Sequence, residues 1–207
     1  MVTVEGVDLE QFAPASSRAV ADIRERFALE HYILCVGTLQ TRKNHIRLVQ
    51  AFECIQSQIP HTLVIAGRDG SGADSLRTYL ADHPNPRVRL IGYVVEADLP
   101  PLYTGAGALA LPSLWEGFGL PVIEAMACGT PVLTSNGSAL TEIAGEAAVL
   151  IDPQDTDDIA DNLLVILQNL DLRQKLIAAG YDRVKAFSWQ HTAEQTISVY
   201  RSTVGKR

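Results

Sequence analysis

Cysteine is scarce in this chain. Cys35, Cys54 and Cys128 are the only three in 207 residues. An odd count with no metal-ligand spacing excludes a disulfide framework and a cysteine-based zinc site. Cys35 and Cys128 sit in apolar runs, so buried reduced thiols are expected, which suits a reducing cytoplasm. Long apolar runs are missing too. None approaches the roughly 18 residues of a membrane span. The N-terminus has no basic region followed by an apolar core, so no signal peptide is expected. Basic charge is short: 17 Lys and Arg face 24 Asp and Glu, a formal net charge of −7. That balance argues against a general nucleic-acid or membrane-surface protein. His31, His45, His61, His83 and His191 are scattered, with no Cys, Asp or Glu at ligand spacing, so no metal site is expected. No Ser-His-Asp pattern appears. Gly67, Gly70 and Gly72 have the wrong spacing for a dinucleotide fingerprint. No internal repeat or low-complexity tract is found.

What is present alternates short apolar runs with longer amphipathic ones. Strands are predicted at Tyr32 to Val36, Thr62 to Ala66, Val88 to Ile91, Ala108 to Leu111, Pro131 to Thr134 and Ala148 to Ile151. Several are continuously apolar, as strands buried on both faces are. Helices are predicted at His45 to Gln58, Ser75 to His83, Glu96 to Thr104, Pro121 to Cys128, Leu140 to Ala144, Thr156 to Leu170, Leu172 to Phe187 and His191 to Thr203. Asp155 or Thr156 is the candidate cap of the Thr156 helix, and Gly129 the stop after Cys128. This alternation predicts an α/β, Rossmann-like, doubly wound parallel sheet. Such sheets bind ligands beyond the carboxyl ends of their strands, at a topological switch point.

The most informative stretch runs from Glu116 to Glu124: Glu-Gly-Phe-Gly-Leu-Pro-Val-Ile-Glu. Two carboxylates bracket a Gly-Phe-Gly loop between a predicted strand and a predicted helix. Pro121 suits a first helical position, where its missing N–H costs nothing. The free N–H groups and positive dipole end of that helix then form an anion site. Gly117 and Gly119 allow close backbone approach. An ionised carboxylate accepts hydrogen bonds from the vicinal hydroxyls of a sugar. Phosphate donors between two hydroxyl-reading carboxylates describe a nucleotide-sugar site. The same spacing also fits a plain turn with two solvated glutamates.

Three other clusters follow strand ends. Gly37-Thr38-Leu39-Gln40-Thr41-Arg42-Lys43-Asn44 brings two cations to a Gly-turned strand end. Arg forks phosphate oxygens and Lys supplies a compact charge. The competing reading is a solvated pair at a helix start, although cations are disfavoured there. Gly92 and Tyr93 read as a strand end with a partly exposed aromatic. Gly67-Arg68-Asp69-Gly70 reads as a solvated turn, although its position beside the cleft allows ligand contact.

The Glu116–Glu124 stretch resembles the Glu-x7-Glu signature of retaining GT-B glycosyltransferases, specifically glycosyltransferase family 4. The similarity extends from Pro112 to Pro121, through Glu124 to Val132, and on through Thr134 to Glu142 and Ala147 to Pro153. Val4-Glu5-Gly6-Val7-Asp8 to Phe12 resembles the family's interdomain linker, with Glu5 where Asn is usual. The family often has Arg directly after the first glycine, where Thr38 stands here.

The resemblance covers essentially the whole chain and implies the C-terminal, donor-binding half of a two-domain enzyme. Residues 1–14 would be a linker remnant, 15–187 the nucleotide-sugar-binding domain, and 188–207 a helix crossing back to an absent N-terminal acceptor domain. It implies donor contacts from Gly37, Thr38, Gly92, Tyr93, Gly117, Phe118, Gly119, Leu120 and Glu124. Glu124 would hold the ribose hydroxyls and Glu116 would face the donor sugar. Arg42 and Lys43 would neutralise the diphosphate in place of a metal, with no Asp-x-Asp cluster expected to hold one. No cofactor is implied. The donor would be GDP-mannose or a UDP-sugar, and the acceptor a glycan or lipid-linked glycan in surface-polysaccharide synthesis. The implied place is the cytoplasm, peripheral at the inner membrane through the missing domain. Alone, the chain would bind donor but hardly turn over. A non-catalytic nucleotide-sugar-binding module, or another GT-B enzyme such as a sugar-nucleotide epimerase, is the alternative.

Overall fold

The computed structural model describes residues 4–204. Six strands form one parallel sheet: β1 (Tyr32–Val36), β2 (Thr62–Ala66), β3 (Val88–Gly92), β4 (Ala108–Leu111), β5 (Val132–Ser135) and β6 (Val149–Ile151). Their spatial order is β3-β2-β1-β4-β5-β6. The chain winds outward from β1 to β3, then returns to β4 beside β1 and winds the other way. The switch point therefore lies between β1 and β4, where this class of sheet opens a ligand crevice. β4 and β5 are buried along their full length. That is why their sequences are unbroken apolar runs rather than alternating ones.

Each predicted strand is present, with ends shifted by one residue at β3, β5 and β6. Nine helices are described: α1 (Ser17–Arg26), α2 (His45–Ile55), α3 (Ala73–Asp82), α4 (Leu99–Thr104), α5 (Leu120–Ala127), α6 (Ser138–Ala144), α7 (Thr156–Gln168), α8 (Leu170–Val184) and α9 (Trp189–Val204). Helix α1 was not expected, because most of its residues are polar or charged and only Ile23 of it is buried. Its legible cue is the cap: the Ser16 hydroxyl accepts from the Ala19 N–H. The predicted Glu96 helix starts later, at Leu99. A short 3-10 turn over Glu96–Asp98 precedes it, and two prolines stand in its first turn. Asp155 caps α7 as expected, accepting from the Asp157 and Asp158 N–H groups. Gly129 follows α5 at φ +74.

The terminal segments are packed together. The Val7 N–H donates to the Phe187 carbonyl at 2.9 Å. The Thr192 hydroxyl donates to the Val4 carbonyl at 2.6 Å. A Cβ on Gly6 would lie 2.4 Å from the Trp189 nitrogen, so only glycine fits there. Val7 and Phe12 are buried in the core. The linker-like start and the last helix thus clamp one another beside the sheet. Residues 1–3 and 205–207 of those two predicted segments lie outside the described residues. Among the described residues, no helix is long and apolar enough to cross a membrane.

Candidate functional site at the carboxyl ends of the strands

Glu116 is the centre of the site. It follows β4 and is only 6% exposed. Its Oε1 takes Lys43 Nζ at 2.6 Å, and its Oε2 takes Arg42 Nη1 at 2.5 Å. The Ser113 hydroxyl donates to Oε1 at 2.7 Å. Burial alone would raise this carboxyl. The hydrogen bonds from Lys43, Arg42 and Ser113 outweigh it and hold Glu116 below its ordinary value. The plain turn with solvated glutamates is thereby overturned for this residue.

Lys43 and Arg42 occupy a 3-10 turn between β1 and α2. Lys43 is as buried as Glu116, so the solvated reading fails for it, while Arg42 stays partly exposed and ion-paired. Both cations sit at a helix start only because a carboxylate from across the switch point faces them. Arg42 also donates through Nε to Gln40 and through Nη1 to the Trp115 carbonyl. Asn44 completes the junction. It adopts φ +62 and donates to the carbonyls of Pro112 and Pro153, tying the turn to the loops after β4 and β6.

Helix α5 opens at Leu120, one residue before the expected Pro121. Gly119 precedes it at φ +120, and a Cβ there would lie 2.7 Å from the Leu140 side chain. The positive φ is what calls for glycine here. A cleft of about 530 Å³ opens in front of this helix start. Glu116, Gly117, Phe118, Gly119, Leu120 and Pro121 line one side of it. Val4, Glu5 and Glu142 also line it, which sequence reasoning did not anticipate. The Phe118 ring meets Phe187 edge-on at 5.9 Å, anchoring the loop to the C-terminal turn.

Glu124 lies one turn into α5, half-buried. It accepts from the Tyr103 hydroxyl at 2.8 Å. Burial raises its carboxyl, only partly countered by the Tyr103 hydrogen bond. The two glutamates are thus tuned in opposite directions by their surroundings.

A second cleft of about 220 Å³ lies beyond β1 and β2. Gly37, Thr38 and Tyr93 line it, and Gly92 stands next to Tyr93 at φ +71. The Gly67–Gly70 segment exposes Arg68 and Asp69 as a solvated turn does, and it also borders the cleft. Gly67 lines this cleft and donates to the Gly92 carbonyl at 2.8 Å. A Cβ on Gly67 would lie 1.9 Å from the Gly37 carbonyl oxygen. Arg68 stacks on the Tyr93 ring at 4.1 Å, a cation–π contact that turns both side chains towards the cleft mouth. The sequence held one hint of this. The segment directly follows a strand, at the edge where parallel sheets bind ligands.

The structure therefore joins Glu116, Arg42 and Lys43 in one cluster. It places Gly117 to Leu120 at the larger cleft, and Gly37, Thr38 and Tyr93 at the smaller. Arg42, Lys43 and Glu124 line neither cleft. Ser113, Tyr103 and Arg68 are the partners that sequence reasoning missed. Tyr103 and Arg68 act through contacts between segments remote in sequence, whereas Ser113 lies three residues before Glu116.

Among the described residues, no group of three or more His, Cys, Asp or Glu side chains is placed to hold a metal ion. An Asp-x-Asp spacing does occur, contrary to the sequence reading, at Asp155 and Asp157. Asp155 is spent on capping α7. Cys35 and Cys128 are buried free thiols, and burial pushes both up to about 12. Cys54 is exposed.

Comparison with known proteins agrees with this architecture. The family model described as "Glycosyl transferases group 1" matches residues 21–183. The O-antigen chain mannosyltransferase B of Escherichia coli is 34% identical over 97% of this chain and 54% of its own length. The solved sucrose-phosphate synthase of Thermosynechococcus elongatus superimposes with a TM-score of 0.83 at 31% identity, over 98% of this chain and 52% of that one. The solved C-terminal domain of a glycosyl transferase group 1 family protein from Francisella tularensis gives a TM-score of 0.75 at 26% identity. That match covers 87% of this chain and 97% of that one. The chain spans about half the length of the curated relatives it matches.

Proposed function

Because the chain belongs to the glycosyl transferases group 1 family, we propose that it is the donor-binding half of a retaining hexosyltransferase. The donor is a nucleoside diphosphate sugar, GDP-mannose first and a UDP-sugar second. The acceptor is a glycan or lipid-linked glycan, bound mainly by an N-terminal half. The reaction belongs at the cytoplasmic side of the inner membrane. Mannose is favoured by the likeness to the Escherichia coli mannosyltransferase.

The observation that carries this reading is the Glu116–Arg42–Lys43 cluster at the switch point, beside a glycine-rich helix start. As the bond to the anomeric carbon breaks, negative charge grows on the leaving diphosphate. Fixed cations and helix N–H groups stabilise that charge without reorganising. Arg42 uses Nε and Nη1 on protein partners and keeps Nη2 for a phosphate oxygen. Lys43 spends one of its three donors on Glu116. Glu116 holds both cations in place and accepts from the donor sugar. Glu124 accepts from the ribose, and Tyr103 orients it. No metal is assigned a role.

Calorimetric titration of the chain with GDP, UDP and ADP, without metal, tests the reading. Saturable binding of one nucleotide is expected. Glu124→Ala should weaken it by roughly 1–3 kcal/mol, the worth of charge-assisted hydrogen bonds. A folded chain that binds none of the three, or an unchanged affinity in the variant, would overturn it.

A further inference from the structure

The amino ends of the strands carry a second polar cavity, of about 270 Å³, on the face opposite the clefts described above. His31, His61 and Gly107 stand immediately before β1, β2 and β4 and form its floor. Arg24 reaches it from α1 and Arg173 from α8. No aspartate or glutamate lines it. In a chain of net charge −7, a recess walled by two guanidiniums and two imidazoles is a local reversal of the overall field.

The donors here are only partly used. Arg24 Nη2 donates to the Gly105 carbonyl at 3.0 Å, but its Nε is buried with no partner. Arg173 spends Nη1 on the Gly107 carbonyl. His61 Nδ1 is likewise buried without a partner. The His31 and His61 rings meet edge-on at 5.8 Å. Burial, then the charges of His31, Arg173 and Arg87, push His61 down to about 4. Surplus positive charge is therefore felt inside the cavity. A buried polar nitrogen left without a partner is costly, and like charges brought together are costly as well. One ligand chemistry relieves both: an oxyanion with several acceptor oxygens.

We propose that this cavity is an anion site for a small phosphoryl-bearing solute, separate from the donor clefts. The guanidiniums of Arg24 and Arg173 supply charge, the planar forks suit tetrahedral oxyanions, and His31 and His61 add donors from the strand ends. Capping of the nearby carbonyls accounts for one nitrogen of each arginine and leaves Arg24 Nε and His61 Nδ1 unexplained. A polar recess of this size also accommodates water, so the decisive quantity is the anion's competition with it.

Calorimetric titration of the chain with inorganic phosphate is the test, with imidazole NMR signals followed in parallel. Saturable binding is expected, with the His31 and His61 resonances moving as the site fills. Arg24→Gln and His31→Ala should each weaken binding by about tenfold or more, the loss of one charge-assisted hydrogen bond. Arg42→Ala, at the opposite ends of the strands, should leave phosphate affinity unchanged at this site. His31 is exposed, so its substitution keeps the test valid even where Arg24→Gln disturbs α1. Absence of saturable binding by the folded chain would overturn the proposal. So would phosphate binding that is lost in Arg42→Ala and kept in His31→Ala, or binding that leaves both imidazole signals still.

Discussion

Lys43 Nζ stands 2.6 Å from Glu116 Oε1, with both side chains more than nine-tenths buried. The two residues are remote in sequence, one after β1 and the other after β4. Each makes the other tolerable: a buried charge without its partner is strongly destabilising. The pair links the segments after β1 and β4 across the switch point, and Arg42 meets the same carboxylate.

Removing one partner should expose that dependence. Glu116→Ala is expected to cost about 3–5 kcal/mol of stability, the range for stranding a buried charge. Combining it with Lys43→Met should recover a sizeable part of the loss. Urea unfolding of the single and double variants checks this. Strict additivity of the two changes would contradict the coupling.

Glu124 predicts the opposite trade. Its carboxyl is raised in the fold, chiefly by burial, so it contributes most to stability when protonated. That contribution is lost as the pH rises through the folded value. At neutral pH the charge is therefore a cost to the fold. Glu124→Gln should raise the thermal midpoint at pH 7, keep an acceptor for Tyr103, and weaken nucleotide binding. A variant that melts lower and binds as well as the parent would refute the trade.

Gly67→Ala should be poorly tolerated. The added Cβ would sit 1.9 Å from a backbone oxygen of Gly37, not from a flexible side chain. Relief requires the ends of β1 and β2 to separate. A loss of about 1–3 kcal/mol is expected from overpacking of this kind. In a chain of this size that corresponds to a fall of several degrees in the thermal midpoint, at about 2–4 °C per kcal/mol. An unshifted midpoint would mean the strand ends are looser than they look.

Two histidines should make the fold acid-sensitive. Burial pushes His45 down to about 4, with a further push from Lys43, and His61 is held at about 4. A depressed folded value means that the unfolded chain binds protons more readily. Stability is then complete above the ordinary value of 6.5 and declines as the pH falls towards 4. Thermal midpoints between pH 7 and pH 4 should fall through this window. His45→Gln should flatten the decline. An identical slope in that variant would assign the effect elsewhere.

The sequence by itself determined the layered α/β fold and the position of every strand. Continuous apolar runs of Val, Ile, Leu and Ala have one stable solution, burial on both faces of a parallel sheet. It also determined the glycine-rich helix start at Gly119, because turn and cap chemistry act locally, within a few residues. Tertiary structure decided the rest. Nothing in the order of residues says that Arg42 and Lys43 close on Glu116, that Tyr103 holds Glu124, or that Arg68 lies on Tyr93. Those contacts arise where the winding reverses between β1 and β4 and where neighbouring strands end side by side. There the hydrogen bonds from Lys43, Arg42 and Ser113 outweigh burial and hold Glu116 ionised, while burial makes the charge on Glu124 costly.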